Sequence, residues 1–357
     1  MVAQAEELSS RLRDFLRRQP LVGLKSARRR TRFIEKLRES EKKLRVLRRR
    51  RFHGATDPLH TTFHPLRCIV ENFKHKNPDE AVWLAFLSVQ FGWDGTSGTG
   101  ETIRRFYSRF GHGLWDWKAV AQASTSVRDW MRENSRRLHE LRFGNHRKYE
   151  TNRPDSKFGT PAVIESFVRW VAKHGNTSPY EAFQSFVEHA ESREAAFDDL
   201  FWALKIRRFG RTAKFDLLCL LGNLGILPVA PPHPYLRGAT GPRAGALLLV
   251  TGKKVGNLTT EIIDIVRELQ SALGSRPNAW KMPCATGRRR RASCRGHAEL
   301  RPRSAFFAKT VVAGQLGPVS RSPHDGKAPP EVGAAVRTSC GQVSLGASSG
   351  CAWRGSR

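Results

Sequence analysis

Apolar positions recur every three to four residues through most of the first 280 residues, the spacing of helices that each bury one face. "RFIEKLRESEKKLRVLRRRR" places Phe33, Ile34, Leu37, Leu44 and Leu47 together with charge elsewhere, which predicts helix over residues 5–52, broken near Pro20. Residues 53–78 hold Pro58, Pro65 and Pro78 and read as loop-rich. "PDEAVWLAFLSVQFG" predicts the next helix. Pro78 suits a first turn, Asp79 and Glu80 complement the positive end of the helix, and Gly92 closes it. "GWDGTSGTGETIRRFYSRFG" is a glycine-rich loop running into a helix with Ile103, Phe106 and Phe110 on one side.

Further helices are predicted at about 115–142, 161–174, 179–190, 194–206, 211–224 and 258–273. The one strand candidate is "GALLLV", residues 245–250. The fold class that follows is all-α.

Charge changes this picture. The formal net charge of +30 over 357 residues points to an anionic partner. Residues 1–52 carry 18 Lys/Arg against 6 Asp/Glu, and residues 281–357 carry 14 against 3, so most of the excess lies near the ends. Beyond residue 280 the periodicity stops. "ATGRRRRASCRG" and "SLGASSGCAWRGSR" have the composition of disorder. The expected organisation is a basic helical arm (1–52), a helical core (53–255), a terminal helix (256–280) and a disordered basic tail (281–357). The arm reads equally as a solvated helix or as one that tracks phosphates.

No apolar run is long enough for a membrane span, and the N-terminus has no signal-peptide core, so a cytoplasmic protein without a membrane partner is expected. Of six cysteines, Cys68 and Cys219 fall in the core, while Cys284, Cys294, Cys340 and Cys351 lack close metal spacing. His60, His64 and Cys68 sit four apart, but Pro65 interrupts the helix that would align them, so no metal is assigned. The glycine-rich loop lacks the Lys of a nucleotide-binding P-loop, and no cofactor motif is present.

Four stretches combine residues able to do chemistry. "RFGRTAKFDLLCLLG" (208–222) sets Arg208, Arg211, Lys214 and Asp216 at the mouth of an apolar helix, with Thr212 as a plausible cap. Ala213, Leu217, Leu220, Leu221 and Leu224 form its apolar face. Arg211 and Lys214 lie about 60° apart at one margin, and Asp216 roughly 140–160° from both at the other. Cations at a helix N-terminus oppose its dipole, so an anion there would relieve them; snorkelling side chains are the plainer reading. "RFGNHRKYE" (142–150) joins Asn145, His146, Arg147, Lys148 and Tyr149, suited either to phosphate and a stacked base or to a polar connection. "YLRGATGPRAGA" (235–246), with Arg237, Thr240, Gly241, Pro242 and Arg243, reads as a tight loop whose amides and cations could approach a ligand. Glu80 and Trp83, three apart on a helix, would bind an amine by charge and cation–π attraction, or else serve as a first-turn acid and a core indole.

Taken in order, "DEAVWLAFLSVQFG", "FGNHRKYE", "LKIRRFGRTAKFDLLCLLGNLG" and "YLRGATGPRAGALLL" resemble the alpha-glutamyl/putrescinyl thymine pyrophosphorylases, clade 3, over residues 58–250. The resemblance implies the helical fold of helix-hairpin-helix DNA glycosylases, and "RFGRTAKF" is similar to the hairpin entry of that fold. It implies DNA as partner, an amine co-substrate (putrescine or glutamate) and no cofactor. The implied reaction displaces pyrophosphate from a 5-pyrophosphoryloxymethyl uracil in DNA. Arg211, Lys214, Arg147 and Lys148 would then meet the leaving pyrophosphate or backbone phosphates, helped by Thr212, Thr240, Gly241 and Arg243. Asp216, His146 or Glu80 would take the proton of the attacking amine, and Tyr149 or Trp83 would stack an extruded base. Two alternatives stand beside this: a noncatalytic DNA-binding module, and a base-excising glycosylase, for which "HPYLRGATG" offers no downstream Asp.

Overall fold

The computed structural model describes residues 2–92, 99–141 and 152–275, all within one unit of the chain, Met1–Ala313. Every regular element among the described residues is a helix. Their single β-type pairing is an isolated bridge between Ala55 and Phe63. The order is α1 (Val2–Arg18), α2 (Ala27–Arg49), α3 (Pro65–Lys74), α4 (Pro78–Gln90), α5 (Thr99–Tyr107), α6 (Trp117–Gln122), α7 (Ser126–Glu133), α8 (Ser135–His139), α9 (Thr160–Gly175), α10 (Pro179–Glu188), α11 (Arg193–Ala203), α12 (Arg211–Leu224), α13 (Thr240–Thr251) and α14 (Thr260–Ala272). Short 3-10 turns occupy Val22–Leu24 and Arg109–Gly111.

Local chemistry sets the helix ends. Ser178 accepts from the Glu181 N–H at 3.1 Å ahead of Pro179, and Ser192 accepts from the Ala195 N–H at 3.0 Å, each satisfying a first-turn donor that the helix leaves free. Gly225 ends α12 with φ 64, a left-handed conformation that costs glycine nothing.

Two apolar clusters organise the helices. The larger centres on α4, where residues 80–88 are all buried, so that helix has no solvent face. Its rings stack in series: Phe86 meets Phe167 at 4.1 Å and Phe209 at 5.1 Å, and Trp83 meets Phe86 at 5.7 Å. The second cluster joins Leu8, Leu12 and Phe15 of α1 and Phe33, Ile34 and Leu37 of α2 to Leu247 and Leu249 of α13 and Val266 and Leu269 of α14. Leu44 packs against both clusters, and Arg48 Nε donates to Asn223 Oδ1 of α12 at 3.0 Å. The apolar stripe read from the sequence of α2 is thus buried against the C-terminal helices, and its cations line the side that remains.

Several expectations change. Residues 245–250 are helix, not strand: Ala246, Leu247 and Leu249 are buried in α13, where Gly23 approaches so closely that a Cβ would lie 2.3 Å from the Leu248 carbonyl oxygen. The stretch 115–142 is three short helices rather than one. Asp116 caps the first by accepting from the Ala119 N–H at 2.8 Å, and the chain turns again between Gln122 and Ser126 and at Asn134. Residues 53–78 contain α3, because Pro65 occupies its first turn and starts the helix instead of breaking one. Phe110 lies beyond α5, in the Arg109–Gly111 turn with φ 59. The glycine-rich stretch 93–98, the constellation 142–150 and the tail 281–357 lie outside the described residues.

Candidate functional site

The α11–α12 pair carries a run of cations near an open helix end. Residues 205–214 hold Lys205, Arg207, Arg208, Arg211 and Lys214 with no acid among them. The connection 204–210 is held from below. Leu204, Ile206 and Phe209 are buried, the Arg207 N–H donates to Ser166 Oγ at 2.9 Å, and the Arg208 guanidinium covers the Phe158 ring at 4.4 Å. Arg208 has φ 56, the left-handed geometry that turns the chain back into α12.

α12 starts without a side-chain cap. Gly210, not Thr212, is its N-cap, and Thr212 lies exposed one turn-position inside. Cations rather than acids occupy its first turn, and a Cβ at Gly210 would meet nothing within 4 Å. The start of the helix is therefore open at Gly210, and its dipole and the cations beside it carry one sign of charge.

Arg211 is half-buried. Its Nη1 donates to the Tyr235 carbonyl oxygen at 2.9 Å, and burial lowers its pKa while the Asp216 carboxylate opposes that shift. Asp216 is buried, 8 % exposed, because α12 is buried on both margins and not just on the face of Leu217, Leu221 and Leu224. It therefore supports Arg211 across the helix instead of facing an incoming molecule. Lys214 Nζ donates to the Phe201 carbonyl oxygen at 3.2 Å. Burial, and then Lys205, lower its pKa.

Around these cations stands an aromatic group that the sequence reading missed. Tyr235 stacks on Phe201 at 4.1 Å, and its hydroxyl donates to Asp198 Oδ1 from α11. Burial and that bond to Asp198 raise the phenol pKa. The Tyr235 N–H donates to His233 Nδ1 at 3.1 Å, and burial lowers the imidazole pKa. Tyr235 has φ 49, so the backbone is turned to bring its ring over Phe201. Trp202 follows Phe201 and is 59 % exposed. Asp198 lies on α11, while His233 and Tyr235 sit two residues apart on the segment before α13, so only the fold brings the carboxylate to the other two.

The remaining predicted residues lie apart from this group. Thr240 and Gly241 begin α13, so "ATGPR" is a helix start and not a loop. Arg243 Nη2 donates to the Gly256 carbonyl oxygen at 2.7 Å and Arg237 Nη2 to Thr260 Oγ1 at 3.1 Å, both toward the start of α14.

Glu80 and Trp83 are core residues. Glu80 accepts from the Tyr107 hydroxyl and from the Trp117 backbone N–H, each at 2.7 Å. Burial outweighs both bonds and pushes its pKa up to about 7. Trp83 is fully buried and its indole N–H donates to the Trp115 carbonyl oxygen at 2.7 Å, so no ring face is open to an amine or a base. His146, Arg147, Lys148 and Tyr149 lie outside the described residues.

Among the described residues no group of three or more His, Cys, Asp or Glu could hold a metal ion. Nor is any helix among them long and apolar enough to cross a membrane.

The family model for alpha-glutamyl/putrescinyl thymine pyrophosphorylase clade 3 matches residues 22–281. The chain belongs to this family. The match extends beyond the 58–250 of the quoted motifs at both ends, taking in α2 and α14, two of the helices of the second apolar cluster. No curated protein and no solved structure matches the chain. The family name denotes a thymine-modifying pyrophosphorylase, and the helix α11, the connection 204–210 and helix α12 all lie inside the matched region.

Proposed function

We propose that this clade 3 member is a DNA-modifying transferase. It displaces pyrophosphate from a 5-pyrophosphoryloxymethyl uracil in DNA with an amine, putrescine or glutamate, to give a hypermodified thymine. The observation that carries this reading is the open, uncapped start of α12 with five cations and no acid over residues 205–214. In this reading α11, the connection 204–210 and α12 act as the hairpin of a helix-hairpin-helix DNA glycosylase-like fold, gripping phosphate with backbone N–H groups.

The chemistry is a displacement at carbon. The amine nitrogen forms a bond to the 5-methylene carbon, the carbon–oxygen bond to pyrophosphate breaks, and pyrophosphate leaves with the electron pair. Negative charge grows on the departing oxygen, so fixed cations there lower the barrier. Lys214 and Arg211 fill that role. Arg211 is pre-positioned by Tyr235, and the half-buried site strengthens both charges toward an anion. The nitrogen must also lose a proton. Asp216 and Glu80 are buried, which leaves the partly exposed Asp198, oriented by Tyr235, as the carboxylate on this group best placed to accept it. His146 remains the imidazole candidate for the same step, with Arg147, Lys148 and Tyr149 beside it in sequence.

The burial of Asp216 and Glu80 favours one second reading, a DNA-binding module without turnover. Lys214→Ala separates the two. The transferase reading expects amine-dependent pyrophosphate release to fall by about tenfold or more with DNA affinity nearly kept. The binding-module reading expects no release from either protein and a salt slope lower by about 0.9 for the lost phosphate contact.

A further inference from the structure

We propose that Trp202 is a stacking surface for an unpaired nucleobase of bound DNA. The inference rests on the DNA reading above and adds a contact that charge alone does not provide. Among the described tryptophans, Trp83, Trp115, Trp117, Trp130 and Trp170 are each at most 7 % exposed, whereas Trp202 is 59 % exposed. An indole left in water keeps a burial gain that contact with a flat partner would realise.

Its position favours a base. Ala196, Phe197, Leu200 and Phe201 form the buried side of α11, and Trp202 is the one large apolar side chain that this helix or the connection 204–210 exposes. The indole meets Phe201 edge-on, at 89° and 5.3 Å between centroids. Tyr235 stacks on Phe201 as well, and the Lys214 ammonium lies 5.8 Å from the same ring. Trp202 thus stands one residue from the aromatic centre of the site, with Lys205 and Lys214 on the adjoining chain. An exposed flat ring with cations on the adjoining chain suits a base with its flanking phosphates. A protein interface would need a broader apolar patch.

The test uses the full chain and the variants Trp202→Ala and Trp202→Phe. Binding of a labelled oligothymidylate and of a paired duplex of equal length is followed by fluorescence anisotropy across a range of NaCl concentrations. Trp202→Ala should weaken single-strand binding about tenfold, leave duplex affinity and its salt slope unchanged, and melt like the wild type. Trp202→Phe should keep most of the single-strand affinity. Unchanged single-strand binding in Trp202→Ala overturns the stacking role while leaving the DNA reading intact. Equal loss on both DNAs, or a lowered melting temperature, also overturns it, since either marks a general or structural contribution. A wild-type protein that binds neither DNA overturns both readings together.

Discussion

The Arg211 guanidinium donates to the main-chain oxygen of Tyr235 at 2.9 Å, binding the first residue of α12 to the segment that leads into α13. One cation therefore has two tasks. It presents positive charge at an open helix start, and it holds the turn that places Tyr235 over Phe201 and against Asp198.

This double role makes Arg211 and Lys214 behave differently on substitution. Arg211→Ala should cost roughly 1–3 kcal/mol of stability, because a charged hydrogen bond to the Tyr235 carbonyl is lost together with an attraction to the buried Asp216 carboxylate. Lys214→Ala should cost less than about 1 kcal/mol, since the ammonium releases one carbonyl bond and a loose ring contact. Urea unfolding of the two variants side by side checks the order. Equal stabilities would show that the bond to Tyr235 contributes no more than the Lys214 contacts do.

Glu80 gives the fold a pH dependence of definite sign. Its pKa rises from 4.5 to about 7 on folding, mainly through burial. The folded state then holds the proton more tightly, so this group's contribution is full below about pH 4.5 and is lost as pH rises toward 7. The loss is on the order of 3 kcal/mol across that window. Glu80→Gln keeps both partners, accepting from the Trp117 N–H and donating to the Tyr107 oxygen, but cannot ionise. The difference in stability between variant and wild type should therefore shift in the variant's favour as pH rises from about 4.5 to about 7.5. A difference that stays flat with pH would contradict the buried-carboxyl account.

Gly23 tests whether the N-terminal helices belong to the folded body. A Cβ there would fall 2.3 Å from the Leu248 oxygen and 2.7 Å from the Leu249 Cα, both backbone atoms of α13 that cannot swing aside. Gly23→Ala should destabilise the protein by about 1–3 kcal/mol. An unchanged melting temperature would mean that the Val22–Leu24 turn does not press on α13.

The helices were legible where a strong period met a clear stop signal. α12 begins at Arg211 and ends at Leu224 as the run from Gly210 to Gly225 suggests, and α9 and α10 each begin beside the proline that marks them. The stretch 245–250 was not, because six small and branched apolar residues carry no period, and burial against Gly23 decides their conformation. The burial of α1 and α2 was hidden for another reason. Their charge dominates composition, while Leu8, Leu12, Phe33 and Ile34 find their partners more than two hundred residues away in α13 and α14. At the site, the cations of 205–214 were visible as a run. The group of Asp198 with His233 and Tyr235 exists only after two segments converge, and the burial of Trp83 and Asp216 follows from neighbours that no local spacing reports.

The most direct measurement is pyrophosphate release from DNA carrying 5-pyrophosphoryloxymethyl uracil, with and without putrescine or glutamate, followed by mass analysis of the nucleosides. The transferase account predicts release that depends on the amine and a modified thymine whose mass gain matches the amine supplied. A folded protein that binds this DNA yet releases no pyrophosphate with either amine would contradict it.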